Sequence, residues 1–117
     1  MVDFKHIDLS YLDVMSDGDD DMKKTMLEML MDEIPGELEK MQSLQAEKDW
    51  DNLGKVSHKM KSTLAFVGNV AMTENNQMLE LNCKKLENLE QNGALVSIIV
   101  DNYNHVAPEL QSALEEL

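Results

Sequence analysis

The feature that most constrains this chain is the recurrence of apolar side chains at steps of three and four residues. Met22, Met26, Met29, Leu30, Ile34, Leu38 and Met41 trace one face of a helix predicted from about Asp20 to Ala46. Pro35-Gly36 interrupts the run without shifting its phase, so one kinked, continuous helix is expected there. Trp50, Leu53, Val56, Met60, Leu64 and Val67 continue the pattern in a helix that begins near Asp49 and stops at Gly68-Asn69. A further helix is predicted from about Met72 to Asn92, with Leu79, Cys83, Leu86 and Leu89 inward and Asn92-Gly93 as its stop. The last runs from about Ala94 to the C-terminus through Leu95, Ile98, Ile99, Tyr103, Val106, Leu110 and Ala113, kinked at Pro108. Before all of these, a short helix starting after Asp8 turns Leu9, Leu12 and Met15 inward.

Four long helices joined by short loops fold as an up-down-up-down bundle, here with a short additional N-terminal helix. Composition supports this all-α reading. Aromatic residues make up only 4% of the 117-residue chain, while Leu and ten Met supply most of its apolar side chains, a choice that favours helix over strand. The length fits one domain, 1–117, with a single core. A net charge of −13 argues against nucleic acid, where basic patches dominate affinity, and against anionic membrane surfaces. The start, Met1-Val2-Asp3-Phe4-Lys5-His6, lacks the basic and apolar stretches of a signal peptide, and Ile98-Ile99-Val100 is far too short to span a bilayer. The single Cys83 permits no internal disulfide and suits a reducing cytoplasm, the expected location.

The acidic stretch Ser16-Asp17-Gly18-Asp19-Asp20-Asp21 lacks the alternating ligands and distal Glu of a calcium loop. Its carboxylates suit the positive N-terminal end of the next helix instead, and no metal site is expected. Phosphate-binding glycine loops, zinc spacings and hydrolase signatures are all missing. One stretch remains: Lys55-Val56-Ser57-His58-Lys59-Met60-Lys61-Ser62-Thr63-Leu64-Ala65. On a helical wheel His58 lies about 150° from the apolar direction, so its imidazole is expected in solvent. Gly54 and Ser62, four residues to either side, and Ala65 beyond keep its face sterically open. A mid-helix Gly54 costs about 1 kcal/mol relative to Ala, a cost that a close approach to another surface would explain. Lys55, Lys59 and Lys61 place three of the ten lysines around the ring, a patch suited to a phosphoryl group or an acidic partner. The competing reading is an ordinary solvated face.

These residues resemble the signature of the histidine-containing phosphotransfer (HPt) family, in which His is followed by Lys at the third position and Gly at the tenth. His58, Lys61 and Gly68 match that spacing, with Met60, Ser62, Thr63 and Val67 standing where the family prefers Leu, Gly, Ser and Leu. Asn69 departs from the usual Ala. Met29 to Leu38 with its mid-helix Pro35, and Glu47-Lys48-Asp49-Trp50 followed by Leu53, also look like this family, so the likeness covers about Leu9 to Leu117.

The resemblance implies a phosphocarrier of a two-component phosphorelay, not an enzyme. His58 would take a phosphoryl group from a receiver-domain aspartate and pass it to a second receiver, with Lys61 stabilising the phosphoryl oxygens. Gly54, Ser62 and Ala65 would give the receiver clearance, Lys55 and Lys59 would meet it, and Lys84 would assist or be an ordinary surface lysine. Phe66 belongs either to the docking surface or to packing at the helix end, and Glu80 is expected near the level of His58. His6 and His105 fit the carrier role poorly, His6 lying in an expected mobile terminus. No cofactor of its own is implied; magnesium is expected in the receiver. The expected partners are response-regulator receivers and a hybrid histidine kinase, and a monomer is expected. The alternative is a helical adaptor binding receivers or other partners without phosphotransfer. A metal-dependent bundle enzyme would need inward carboxylates and Glu-x-x-His pairs, which the sequence lacks.

Overall fold

The computed structural model describes residues 4–117, so Met1-Val2-Asp3, which open both the predicted domain and the segment read for a signal peptide, lie outside the described residues. The described chain is helical: α1 (Ser10–Met15), α2 (Asp20–Ala46), α3 (Trp50–Val67), α4 (Val70–Lys85), a 3-10 turn (Leu89–Gln91) and α5 (Asn92–Glu115). At about 1.5 Å per residue α2 alone is about 40 Å long, and it sets the long dimension of a bundle measuring 43 × 22 × 20 Å. Short connections force sequential helices antiparallel; α2 packs on α3 and α5, and α4 packs on α3 and α5, closing a four-helix bundle. No helix among the described residues is long and apolar enough to cross a membrane.

Local chemistry sets the helix ends. Asp19 accepts hydrogen bonds from the Asp21 and Met22 amides and caps α2, with Asp20 and Asp21 in its first turn. Asp49 caps α3 through the Asn52 amide, and the hydrogen bonds from Asn52 hold its carboxyl below the usual range. Asn69 caps α4 by accepting from Met72 N–H. Pro35 and Pro108 sit inside helices that continue through them.

The core is built from Leu12, Leu27, Ile34, Met41, Leu53, Met60, Leu64, Met72, Leu79, Ile99 and Leu110, all fully buried. Several expectations need correction. Met15, Met22, Met29 and Ile98 are exposed, while Leu27 and Val96 take inward places. The helix predicted to Asn92 ends seven residues earlier, at Lys85. Leu86 (φ 54°) and Asn88 (φ 53°) are left-handed and turn the chain; Leu86 is exposed, Leu89 is only half-buried, and Asn92 opens α5 in the interior. Buried Asn82 holds this corner, its side-chain amide donating to Asn92 Oδ1 at 3.2 Å. The helical phase of Leu79, Cys83, Leu86 and Leu89 runs through the break, which hides it from periodicity.

The segment before α1 is docked, not free. The Lys5 and His6 amides donate to Glu109 Oε1 on α5 at 2.8 and 2.9 Å, and the His6 ring stacks on His105. The Asp8 amide donates to Val67 O, which brings the Asp8 backbone against Gly68. Gly68 ends α3 at φ +71°, and a Cβ there would stand 2.1 Å from Asp8 O. Both the left-handed backbone and the contact demand glycine. Gly68→Ala is therefore expected to cost more than about 2 kcal/mol in urea unfolding. A change below about 0.5 kcal/mol would show that the N-terminal segment does not dock there.

Candidate functional site

The site is built on the facing surfaces of α3 and α4. Gly54 lies at a tight contact between the two helices: a Cβ placed on it would stand 3.0 Å from the Cβ of Cys83. The close approach that its sequence position called for is thus an approach to α4 within the molecule. Beside this contact runs an open groove of about 890 Å³, whose lining includes Gly54, His58, Lys61, Glu80, Cys83 and Lys84.

The His58 side chain is 72% exposed at the rim of this groove. Its Nδ1 lies 2.5 Å from Glu80 Oε2, and the other Glu80 oxygen accepts from Lys61 Nζ at 3.2 Å. Lys61 follows His58 by three residues on α3, which brings both heads to one carboxylate of α4. Burial pushes the Glu80 carboxyl up, but the hydrogen bonds from His58 and Lys61 and their charges outweigh it and hold it below the usual range. An ionised carboxylate only accepts, so Nδ1 must carry the proton. On the neutral ring the lone pair then lies on Nε2.

The three lysines flanking His58 do not form an uncompensated patch. Lys55 pairs with Asp51 at 3.3 Å and Lys61 with Glu80. Lys59 turns to α2, where it meets Glu37 at 3.0 Å and Glu33 at 3.7 Å. Ser62 and Ala65 are exposed beyond the groove, while Lys84 stands on its α4 side. Phe66 stacks on Tyr11 of α1, ring centres 5.1 Å apart, so it packs at the helix end. His105, on α5, is exposed and stacked against His6, and it does not line the groove beside His58.

Sequence reasoning placed Glu80 at the right level but gave it no role. It missed Ser57 and Asn76 altogether, both buried between α3 and α4. A signal for them existed. Ser57 falls at the inward spacing Leu53, Ser57, Met60, Leu64, and Asn76 at Met72, Asn76, Leu79, Cys83. A polar residue interrupting an apolar stripe marks a position where hydrogen bonds must be found inside.

Among known families, the model described as the Hpt domain matches residues 25–117, most of the chain and all of the site. Searches of curated proteins and of solved structures returned no significant match.

Glu37 generates a separate expectation. Its side chain is nearly buried beneath Lys59 and Lys40; burial pushes its carboxyl up, yet the hydrogen bond from Lys59 and the two positive charges hold it below the usual range. The unfolded chain therefore binds this proton more readily than the folded one. The contribution is present above the ordinary glutamate range and is lost as pH falls through the depressed folded value. Glu37→Gln should be about 1 kcal/mol less stable at pH 7 in urea unfolding, and the gap should close below about pH 4. An equal gap at both pH values would show that the charge of Glu37 contributes nothing.

Proposed function

Because the chain belongs to the Hpt domain family, whose members are phosphocarriers that interact with receiver domains in two-component signalling, we propose that His58 is its phosphoryl acceptor. In this reading a receiver-domain aspartyl phosphate donates to His58, and a second receiver accepts from it. The observation that carries the reading is an exposed imidazole whose Nδ1 is tied to a carboxylate, which leaves Nε2 as the bare nitrogen.

The step balances simply. The Nε2 lone pair attacks phosphorus, an N–P bond forms, and the P–O bond to the aspartate breaks with the electron pair leaving on the carboxylate. The proton stays on Nδ1, so the ring becomes cationic as the bond forms, and the Glu80 carboxylate offsets that charge at hydrogen-bond distance. Reversal of the same path returns the group to a second receiver. Lys61 shares Glu80 in the resting protein and is close enough to turn toward the arriving phosphoryl oxygens. Lys84 lines the same groove and adds a second cation, while Gly54 keeps that wall low. Ser62 and Ala65 extend a face of small side chains along α3 for the incoming receiver, with Lys55 and Lys59 at its margins.

The magnesium that such transfers require belongs to the receiver, and this chain contributes positioning without a cofactor of its own. A cytoplasmic monomer acting between a hybrid histidine kinase and a response regulator completes the proposal.

Incubation with a phosphorylated cognate receiver is expected to label the protein at an acid-labile, alkali-stable position. His58→Gln should abolish that label with helical content unchanged by circular dichroism; normal labelling of this variant would sink the assignment. Receiver binding that persists in an unmodified protein that never takes label would favour the adaptor instead. Lys61→Ala should slow transfer by about 10- to 100-fold while the thermal midpoint moves little, because its ion pair is surface-exposed. A large loss of stability would make Lys61 a structural residue.

A further inference from the structure

Ser57 and Asn76 are polar groups that no step of the transfer uses, yet both are buried in the α3–α4 contact, Ser57 completely and Asn76 at 2% exposure. The Ser57 hydroxyl lies 2.7 Å from Asn76 Oδ1 and 2.9 Å from the Asn76 carbonyl oxygen. Asn76 Nδ2 donates back to the Ser57 carbonyl at 3.0 Å. Each helix thus both gives a hydrogen bond to the other and takes one. The hydroxyl has one proton, shared between two oxygens of the same residue.

As a source of stability this arrangement is a poor choice. An apolar pair of similar volume would serve about as well, since a buried hydrogen bond gains little over the protein–water bonds it replaces. Its distinctive property is direction. Sliding α3 past α4 by one residue, about 1.5 Å, would strand the Ser57 hydroxyl and the Asn76 side-chain amide without these partners, whereas Leu or Met would repack. Hydrogen bonds of this kind permit a single register.

Register is what the site needs. His58 is the residue after Ser57 on α3, and Glu80 lies one helical turn beyond Asn76 on α4. On the other side of His58, Gly54 meets Cys83 in a contact that leaves little room for a side chain. The contact at Gly54 fixes how near the helices come, but two smooth surfaces can still slide. The Ser57–Asn76 pair removes that freedom within a turn of the carboxylate.

We propose that Ser57 and Asn76 are positioning residues. Their reciprocal hydrogen bonds hold the α3–α4 register in which Glu80 stays on Nδ1 of His58 and Nε2 stays bare. The inference rests on the reading of His58 as the phosphoryl acceptor, but its test is made on this protein alone, without a receiver.

Nitrogen-15 NMR of the neutral His58 ring reports which nitrogen carries the proton. In the unmodified protein Nδ1 is expected to be the protonated nitrogen. The double variant Ser57→Ala/Asn76→Leu removes the clamp while leaving no buried polar side chain without a partner. Its thermal midpoint should stay within a few degrees, yet the His58 nitrogen shifts should move to those of a ring exchanging between tautomers. Ser57→Thr, which retains the hydroxyl, should keep the native shifts. Phosphotransfer by the double variant should slow by about 10- to 100-fold, in line with misplacement of a reacting group. Native tautomer shifts in the double variant would overturn the proposal and leave the pair a packing feature. Should the double variant fail to fold, Ser57→Ala is read for the same shifts with the same two outcomes. Native tautomer control in a protein that never takes phosphate from any receiver would overturn the relay reading and leave the positioning role standing.

Discussion

The packing of α3 on α4 is the constraint from which the rest of the molecule follows. Antiparallel helices come this near only where one of them presents little side chain, and Gly54 supplies that place opposite Cys83. Close approach brings the outer edges of the two helices within side-chain reach across a shallow groove. A carboxylate on one helix can then hold an imidazole and an ammonium group on the other, as Glu80 holds His58 and Lys61. With wider spacing those groups would extend separately into water, and neither the tautomer of His58 nor the position of Lys61 would be defined.

The charges in the molecule are arranged around the same contact. A strongly acidic chain can afford few free cations, and the lysines flanking His58 are each matched by a carboxylate. Only one of the three matches is made across the α3–α4 groove. Lys59 instead joins α3 to α2 over the nearly buried Glu37, which helps fix the other flank of the helix that carries His58. The electrostatics around the ring are therefore local and directional, set by Glu80 and Lys61 at hydrogen-bond distance, more than by a diffuse positive field.

Much of the architecture was legible from spacing alone. Asp20 to Ala46 and the stop at Gly68 were readable because a capping carboxylate, a continuous stripe and a glycine are local signals that act over one turn. The end of α4 was not. Leu86 adopts a left-handed backbone against its preference, held by Asn82 and Asn92 packing in the interior, and the only local signal of the turn is Asn88, a residue type that accepts such a backbone. The exposed Met22 and Met29 mislead for a related reason: methionine suits a helix equally well on either face, and only the neighbouring helix decides which face is covered.

What the sequence by itself determined is the number and order of the long helices, the main line of each apolar stripe, and the outward placement of His58 between small and basic residues. These are properties of one helix and its 3.6-residue period. The tertiary structure alone decided which nitrogen of that imidazole is free, because Glu80 arrives from a different helix at a distance set by Gly54 and a register set by Ser57 and Asn76. Helical period gives the angle of a side chain about its own axis; it carries no information on how far a neighbouring helix has slid along it.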